Sequence, residues 1–312
     1  MIDAQGLRKT FTTRGQQVEA VKGVDLKVEQ GEIFGVLGPN GAGKTTTIRM
    51  LATLIVPDAG TATIAGHDLR KDPAAIRRAL GYVSQEGGVE DSTSARAQLM
   101  MSARLHRVPD PAAATAAVLD RFDLAEIADR PGRTLSGGQK RRVAIALGLA
   151  HDPRLLFLDE PTTGLDPQNR ANLWDRIRQL REQGTSVLLS THYLDEADVL
   201  CDRLVIVDHG TVVAEGTPSA LKREVSGDVV TLRLDRLEEG AAALAPHARE
   251  TRVDDDVLRV YVDDGEHALP GLLRTLEERG IGLRSISLER STLDDVFLAK
   301  TGRSLRDTGV AA

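Results

Sequence analysis

Cysteine is almost missing from this chain. The single Cys201 among 312 residues has no intramolecular partner, and no Cys/His cluster shows metal-ligand spacing, so disulfide stapling and a structural zinc are both excluded as organising devices. A reducing compartment, the cytoplasm, is expected. Long apolar runs are missing too: stretches such as Val143 to Ala150 fall far short of the ~18 to 20 residues that a spanning helix needs. Any membrane role must come through a partner. The opening MIDAQGLRKTF has no apolar core of the signal-peptide kind, and we expect no export. An excess of positive charge is also lacking. Forty Lys and Arg face 46 Asp and Glu, for a formal charge of -6, which argues against a general polyanion binder and makes nucleic acid an unexpected partner.

What is present suits about two domains at ~150 residues each. The run EIFGVL, from Glu32 to Leu37, reads as a short buried strand, followed by the loop GPNGAGK and a helix from Thr45 to about Leu54. Leu155 to Leu158, ending in Asp159 and Glu160, and Ser186 to Leu189, ending near His192, read as central parallel strands. Between them, Asp166 can cap a helix that has Pro167 in its first turn, Leu173, Ile177 and Leu180 on one face, and Gly184 at its end. From about Glu90 to Ala150 the chain is rich in Ala, Leu and Arg at helical spacing, which reads as a helical insertion. After Gly216 the pattern changes. Val230, Leu232 and Leu234 alternate, as do Leu258, Val260 and Val262; Leu269 to Arg279 is helical, Leu283 to Leu288 extended, and Ser291 with Asp294 resembles a capping box. Asp254 to Asp256 read as a solvated turn. The expected fold class is α/β over residues 1–220, with a separate small α+β domain over 228–306.

Gly38, Gly43, Lys44 and Thr45 fill every fixed position of GxxxxGK[ST] between a strand and a helix. Glycines let backbone N–H groups turn inward onto phosphate oxygens, and the helix start adds its positive dipole end. The cradle runs through Gly38, Pro39, Asn40, Gly41, Ala42, Gly43, Lys44, Thr45 and Thr46. Lys44 would hold the β- and γ-phosphates of ATP, and Thr45 would offer its hydroxyl to Mg²⁺. Asp159 is the candidate to hold the magnesium, directly or through water. Side chains alternate along a strand, so Glu160 would point elsewhere, toward an attacking water, as the general base.

Leu135, Ser136, Gly137, Gly138 and Gln139 spell LSGGQ. Here the chain resembles the ATP-binding cassette family of transporter ATPases, over roughly Ile2 to Gly216. That resemblance implies a P-loop NTPase cassette, a RecA-like core with a helical subdomain at about 90–150. It also implies that two copies meet head to tail, with ATP between the phosphate loop of one and the LSGGQ of the other. Ser136 and the N–H groups of Gly137 and Gly138, at a helix start, would then make a second cradle for the γ-phosphate. By the same resemblance Phe11 stacks on adenine, and Gln85 senses magnesium and water and links to a membrane partner. Asp166 communicates across the dimer, and His192 contacts the γ-phosphate and braces Glu160. Lys140, Arg141 and Arg142 read as a solvated or interdomain face, and Trp174 as packing. The tail LDDVFLAKTGRSLRD, Leu293 to Asp307, resembles drug-resistance cassettes of the daunorubicin type. This implies export through a separate multi-helix permease, with the chain peripheral on the cytoplasmic face of the membrane. A soluble cassette ATPase acting on ribosomes or DNA, an importer cassette, and a non-hydrolysing regulator are the competing readings; the last conflicts with the presence of both Glu160 and His192.

Overall fold

The computed structural model describes residues 1–13, 15–225, 227–254 and 256–303. The chain divides into two compact units between Glu215 and Gly216. In the first, β1 (Ile2–Thr13) and β2 (Gln16–Val28) form an antiparallel hairpin, with Phe11 opposite Val18. Then come β3 (Ile33–Leu37), α1 (Lys44–Leu51), β4 (Ala59–Ile64) and β5 (His67–Asp68). The order β2-β1-β4-β5 makes one sheet. No element before Glu32 is assigned from the sequence; the first four residues of β2 are all exposed, although Val24 to Val28 alternate buried and exposed. α1 also stops short of Leu54: Thr53 takes a positive φ of 61° and ends the turn.

α2 (Pro73–Ala79) and β6 (Leu80–Val83) lead into the expected helical insertion, made of α3 (Ala95–Leu105), α4 (Pro111–Arg121) and α5 (Gly137–Leu149). The chain returns through β7 (Leu155–Asp159), α6 (Pro167–Glu182), β8 (Ser186–Thr191), α7 (Leu194–Leu200), β9 (Arg203–Asp208) and β10 (Thr211–Gly216). The second sheet has the order β10-β9-β3-β8-β7-β6, and its strands from β9 to β6 are parallel. Every residue of β3, β7 and β8 is buried. Parallel strands covered on both faces require such continuous apolar runs. Leu37 lies beside Thr191, and Asp159 beside Ser190, so β3, β8 and β7 finish together and their following loops share one edge.

The second unit contains α8 (Pro218–Val225), β11 (Asp228–Leu234), α9 (Leu237–Leu244), β12 (Glu250–Asp254), β13 (Val257–Val262), α10 (Gly265–Glu278), β14 (Leu283–Glu289) and α11 (Leu293–Thr301). Its antiparallel sheet has the order β12-β13-β11-β14. Val230 opposes Val260 and Leu232 opposes Leu258; all four are buried in one core with Leu272 and Leu276 of α10. The division falls at 215/216, ahead of the expected cassette end at 220, because α8 packs against α11. Asp254 and Asp256 flank the turn between β12 and β13, and Asp254 accepts a hydrogen bond from Arg259; Asp255 lies outside the described residues.

The capping box of α11 is Thr292 with Asp295, one residue beyond the expected Ser291 with Asp294. Ser291 is buried and engaged elsewhere: its hydroxyl donates to the carbonyl of Gly227 and its N–H to Asp228. Ser304 to Asp307 of the tail lie outside the described residues. Among the described residues no helix is long and apolar enough to cross a membrane.

Candidate active site

The phosphate loop occupies the turn between β3 and α1. Gly38 must be glycine, since a Cβ there would meet the Val207 carbonyl oxygen at 2.2 Å, and Gly43 caps α1 with a φ of 101°. No side chain caps this helix start, so its first-turn N–H groups are available to an anion. A cleft of about 420 Å³ opens here, lined by Phe11, Asn40, Gly41, Gly43, Lys44, Thr45, Thr46, Gln85 and Glu160. Phe11, on β1, is half-buried with its ring on the cleft and 5.7 Å from Lys9 Nζ, not in the core. A π-face is therefore available beside the phosphate cradle.

Lys44 is buried, with its ammonium donating to the carbonyls of Gly38 and Pro39 and 3.2 Å from Glu160 Oε1. Burial holds its pKa below the ordinary lysine range, although Glu160 and Asp159 pull the other way. Asp159 and Glu160 part company, but not by strand alternation: β7 ends at Asp159, and Glu160 turns away with a φ of 47°. Asp159 Oδ1 accepts from Thr45 Oγ1 at 2.9 Å and from Ser190 Oγ at 2.6 Å. Its Oδ2 is buried with no hydrogen-bond partner among the described residues. An orphaned carboxylate oxygen next to a threonine hydroxyl, with the Gln85 amide on the same cleft, is a donor set that fits a hard cation such as Mg²⁺.

Glu160 collects donors from across the fold. Gln85 Nε2 donates to its Oε2 at 3.1 Å and Thr163 Oγ1 at 3.2 Å, and His192 Nδ1 lies 3.2 Å from the same oxygen. Burial works against the charge, but the His192 contact and the Lys44 ammonium outweigh it and hold the carboxyl at about 2. Its backbone has a φ of 47°, a conformation that costs a non-glycine residue about 1 to 2 kcal/mol. The Glu160 N–H donates to the Ser190 carbonyl and hydroxyl. Ser190 and Thr163 escape sequence reasoning: each is one hydroxyl among many, and only the strand register and the turn after β7 bring them here.

The LSGGQ residues lie elsewhere. Ser136 caps α5 in a capping box with Gln139: Ser136 Oγ accepts from the Gln139 N–H, and Gln139 Oε1 accepts from the Ser136 N–H. Ser136 and Gly137 are exposed, and nothing lies within 4 Å of a Cβ placed on Gly137. Gly137 lines a separate hollow with Gln85, Thr163 and Gly164, and a Cβ on Gly138 would strike the Asn169 side chain at 2.9 Å. Asp166 caps α6, accepting from the N–H and side-chain amide of Asn169, bonds that lower its pKa.

The basic trio is not a solvated face. Lys140 pairs with Asp91, and Arg142 donates to the carbonyls of Phe122 and Asp123. Arg141 is buried and donates only to backbone carbonyls. Trp174 does more than pack: its indole N–H donates to Glu196, whose burial raises its pKa despite that bond.

Residues 21–163 match a family model described as ABC transporter, and residues 216–301 match one described as ATP-binding protein DrrA1-3-like, C-terminal domain. The chain is 45% identical over 294 residues to the daunorubicin resistance ATP-binding protein DrrA3 of Streptomyces coeruleorubidus, across 92% of this chain and 93% of that one. It is 44% identical over 317 residues to the daunorubicin/doxorubicin resistance ATP-binding protein DrrA of Streptomyces peucetius, across 98% and 94%. Among solved structures it is similar to a dimeric ATP-binding cassette in a post-hydrolysis state bound to ADP and Pi. The TM-score is 0.65 at 25% identity, over 70% of this chain and 98% of that one.

Proposed function

This chain belongs to the ABC transporter family, as an ATP-hydrolysing nucleotide-binding subunit, and on that premise we propose that two copies clamp ATP to power export of a drug-like, hydrophobic compound through a separate permease. The observation that carries the clamp is the outward setting of Ser136 and Gly137: both are exposed, and Gly137 lines a different hollow from the phosphate loop. An exposed helix start set apart from the phosphate loop is half a site. A second copy supplies the other half, and ATP, touching both chains only when they are closed, shifts the population toward closure. Efflux of a drug-like cargo is supported by the match of residues 216–301 and by the names of the two relatives. The chain would sit peripherally on the cytoplasmic face, coupled to the permease near Gln85.

In the chemical step, water attacks the γ-phosphorus, the bond to the bridging oxygen of ADP breaks, and Glu160 takes the water's proton. The Lys44–Glu160 contact makes this dependent on substrate. When Lys44 turns to the phosphates, Glu160 loses one of the charges holding its carboxyl near 2, and its basicity rises. Thr45, Asp159 and Gln85 would hold Mg²⁺, which when bound neutralises phosphate charge. His192 and Gln85 orient the carboxylate through the oxygen they share, Phe11 stacks on the base, and Asp166 sets the start of α6 at the seam.

The test is Glu160→Gln. Turnover should fall by about 10²-fold or more, while ATP stays bound and a closed dimer accumulates in size-exclusion chromatography. Normal turnover would remove Glu160 from the role of base.

A further inference from the structure

Arg141 lies five residues beyond the Ser136 cap, on the buried side of α5, and is only 7% exposed. Its guanidinium bonds four backbone carbonyls that belong to two different loops. Nε donates to the Pro161 carbonyl at 2.5 Å and Nη2 to the Asp159 carbonyl at 3.2 Å. Nη1 donates to the carbonyls of Ser84 at 2.7 Å and Gln85 at 3.2 Å. Glu160, at a φ of 47°, is thus flanked on both sides by carbonyls that accept from one cation. The same cation holds the backbone of Gln85, whose amide donates to Glu160 Oε2.

We propose that Arg141 is a positioning residue for hydrolysis, holding Glu160 and Gln85 in register with each other and tying that register to the helix that begins at Ser136. The inference rests on the reading of Glu160 as base and adds the residue that sets its backbone. A planar fork of five donors can bridge two loops at once, whereas an ammonium is a single point with three. Arg141 makes no hydrogen bond to the phosphate loop itself: Lys44 bonds the Gly38 and Pro39 carbonyls, and meets Glu160, as Thr45 meets Asp159, through side-chain atoms that Arg141 does not touch. Losing the fork should therefore misplace the base without emptying the cradle.

The experiment uses the full chain with Arg141→Lys and Arg141→Met, each also made in the Glu160→Gln background. Turnover is scored per site that binds a fluorescent ATP analogue, so loss of folded protein does not count as loss of rate. Arg141→Lys should lower kcat by about tenfold or more with analogue affinity within about twofold, the pattern of a misplaced group and not of lost ground-state binding. In the Glu160→Gln background it should lower single-turnover rates by less than about twofold, because residues acting through one another do not add. A kcat within about twofold of the wild type overturns the proposal, as do losses that multiply with Glu160→Gln. Failure of both variants to bind nucleotide overturns it as well, making Arg141 a general brace. Full turnover by Glu160→Gln alone sinks the base reading, a different result from an inert Arg141.

Discussion

At the scale of single residues, the contact that organises the cleft is the pair Lys44 and Glu160, both nearly inaccessible to solvent. Two charges in so dry a place are tolerated because each finds further partners, carbonyls for the ammonium and hydrogen-bond donors for the carboxylate. The linkage has a definite sign. The carboxyl is lowered from 4.5 to about 2 on folding, so its contribution to stability is complete above pH 4.5 and is lost as pH falls toward 2. The thermal midpoint of the wild type should therefore exceed that of Glu160→Gln by a constant margin from pH 7 to 5, and the margin should shrink below 4.5. A margin that does not change with pH would mean that the carboxylate is not held by charge. The residue types of this site were legible in the sequence, because phosphate, metal and water chemistry each call for particular groups. Their mutual contacts were legible only in part: the resemblance implied His192 against Glu160, whereas Thr163 and Gln85 meet Glu160 only through the fold.

Elements carry the second level of control, and two helix starts illustrate it. α5 and α11 both begin with a capping box, Ser136 with Gln139 and Thr292 with Asp295. In α5 the cap fixes an exposed turn where Gly137 faces open space and Gly138 makes way for the Asn169 side chain. In α11 it fixes the helix whose Leu293, Val296 and Phe297 are buried. Sequence spacing alone allows two registers for the second box, since S-x-x-D and T-x-x-D are offset by one residue. The tie is broken by burial, because Ser291 is taken up by the Gly227 carbonyl. Thr292→Ala should destabilise α11 by about 1 kcal/mol, read as faster amide exchange across Leu293–Thr301. Unchanged exchange would return the cap to Ser291. The antiparallel strands before Glu32 were legible only in part: Val24 to Val28 alternate buried and exposed, as period-two patterning requires, but β2 is exposed over its first four residues, where no buried face marks the strand.

For the whole molecule, the claim is that no single chain completes a site. Lys44→Ala disables one component and Gly137→Asp the other, and each alone should be inactive as a homodimer. Mixed chains should recover activity: half the dimers formed from an equal mixture are hybrid, and one of the two sites in each hybrid is intact, so about a quarter of sites should work. An inactive mixture, or a parent that stays active, would reject the shared arrangement. The two units also divide the labour. The first carries every residue proposed for binding and hydrolysis, and the second, from Gly216, builds its own core around β11 and β13.

The sequence by itself determined the chemistry and the class. Glycine, lysine and threonine at fixed spacing specify a phosphate cradle because backbone freedom and charge are local properties. Continuous apolar runs specify buried parallel strands because both faces must be covered. Tertiary structure alone decided how these parts act on one another. Three strands ending at one edge bring Thr45, Ser190 and Asp159 into hydrogen-bond range. The same edge sets Lys44 against Glu160, and turns Arg141 from an apparent surface charge into the buried link between two stretches of chain. A guanidinium's partners depend on which carbonyls the fold leaves pointing inward, and residues 20 and 56 positions away along the chain cannot announce that.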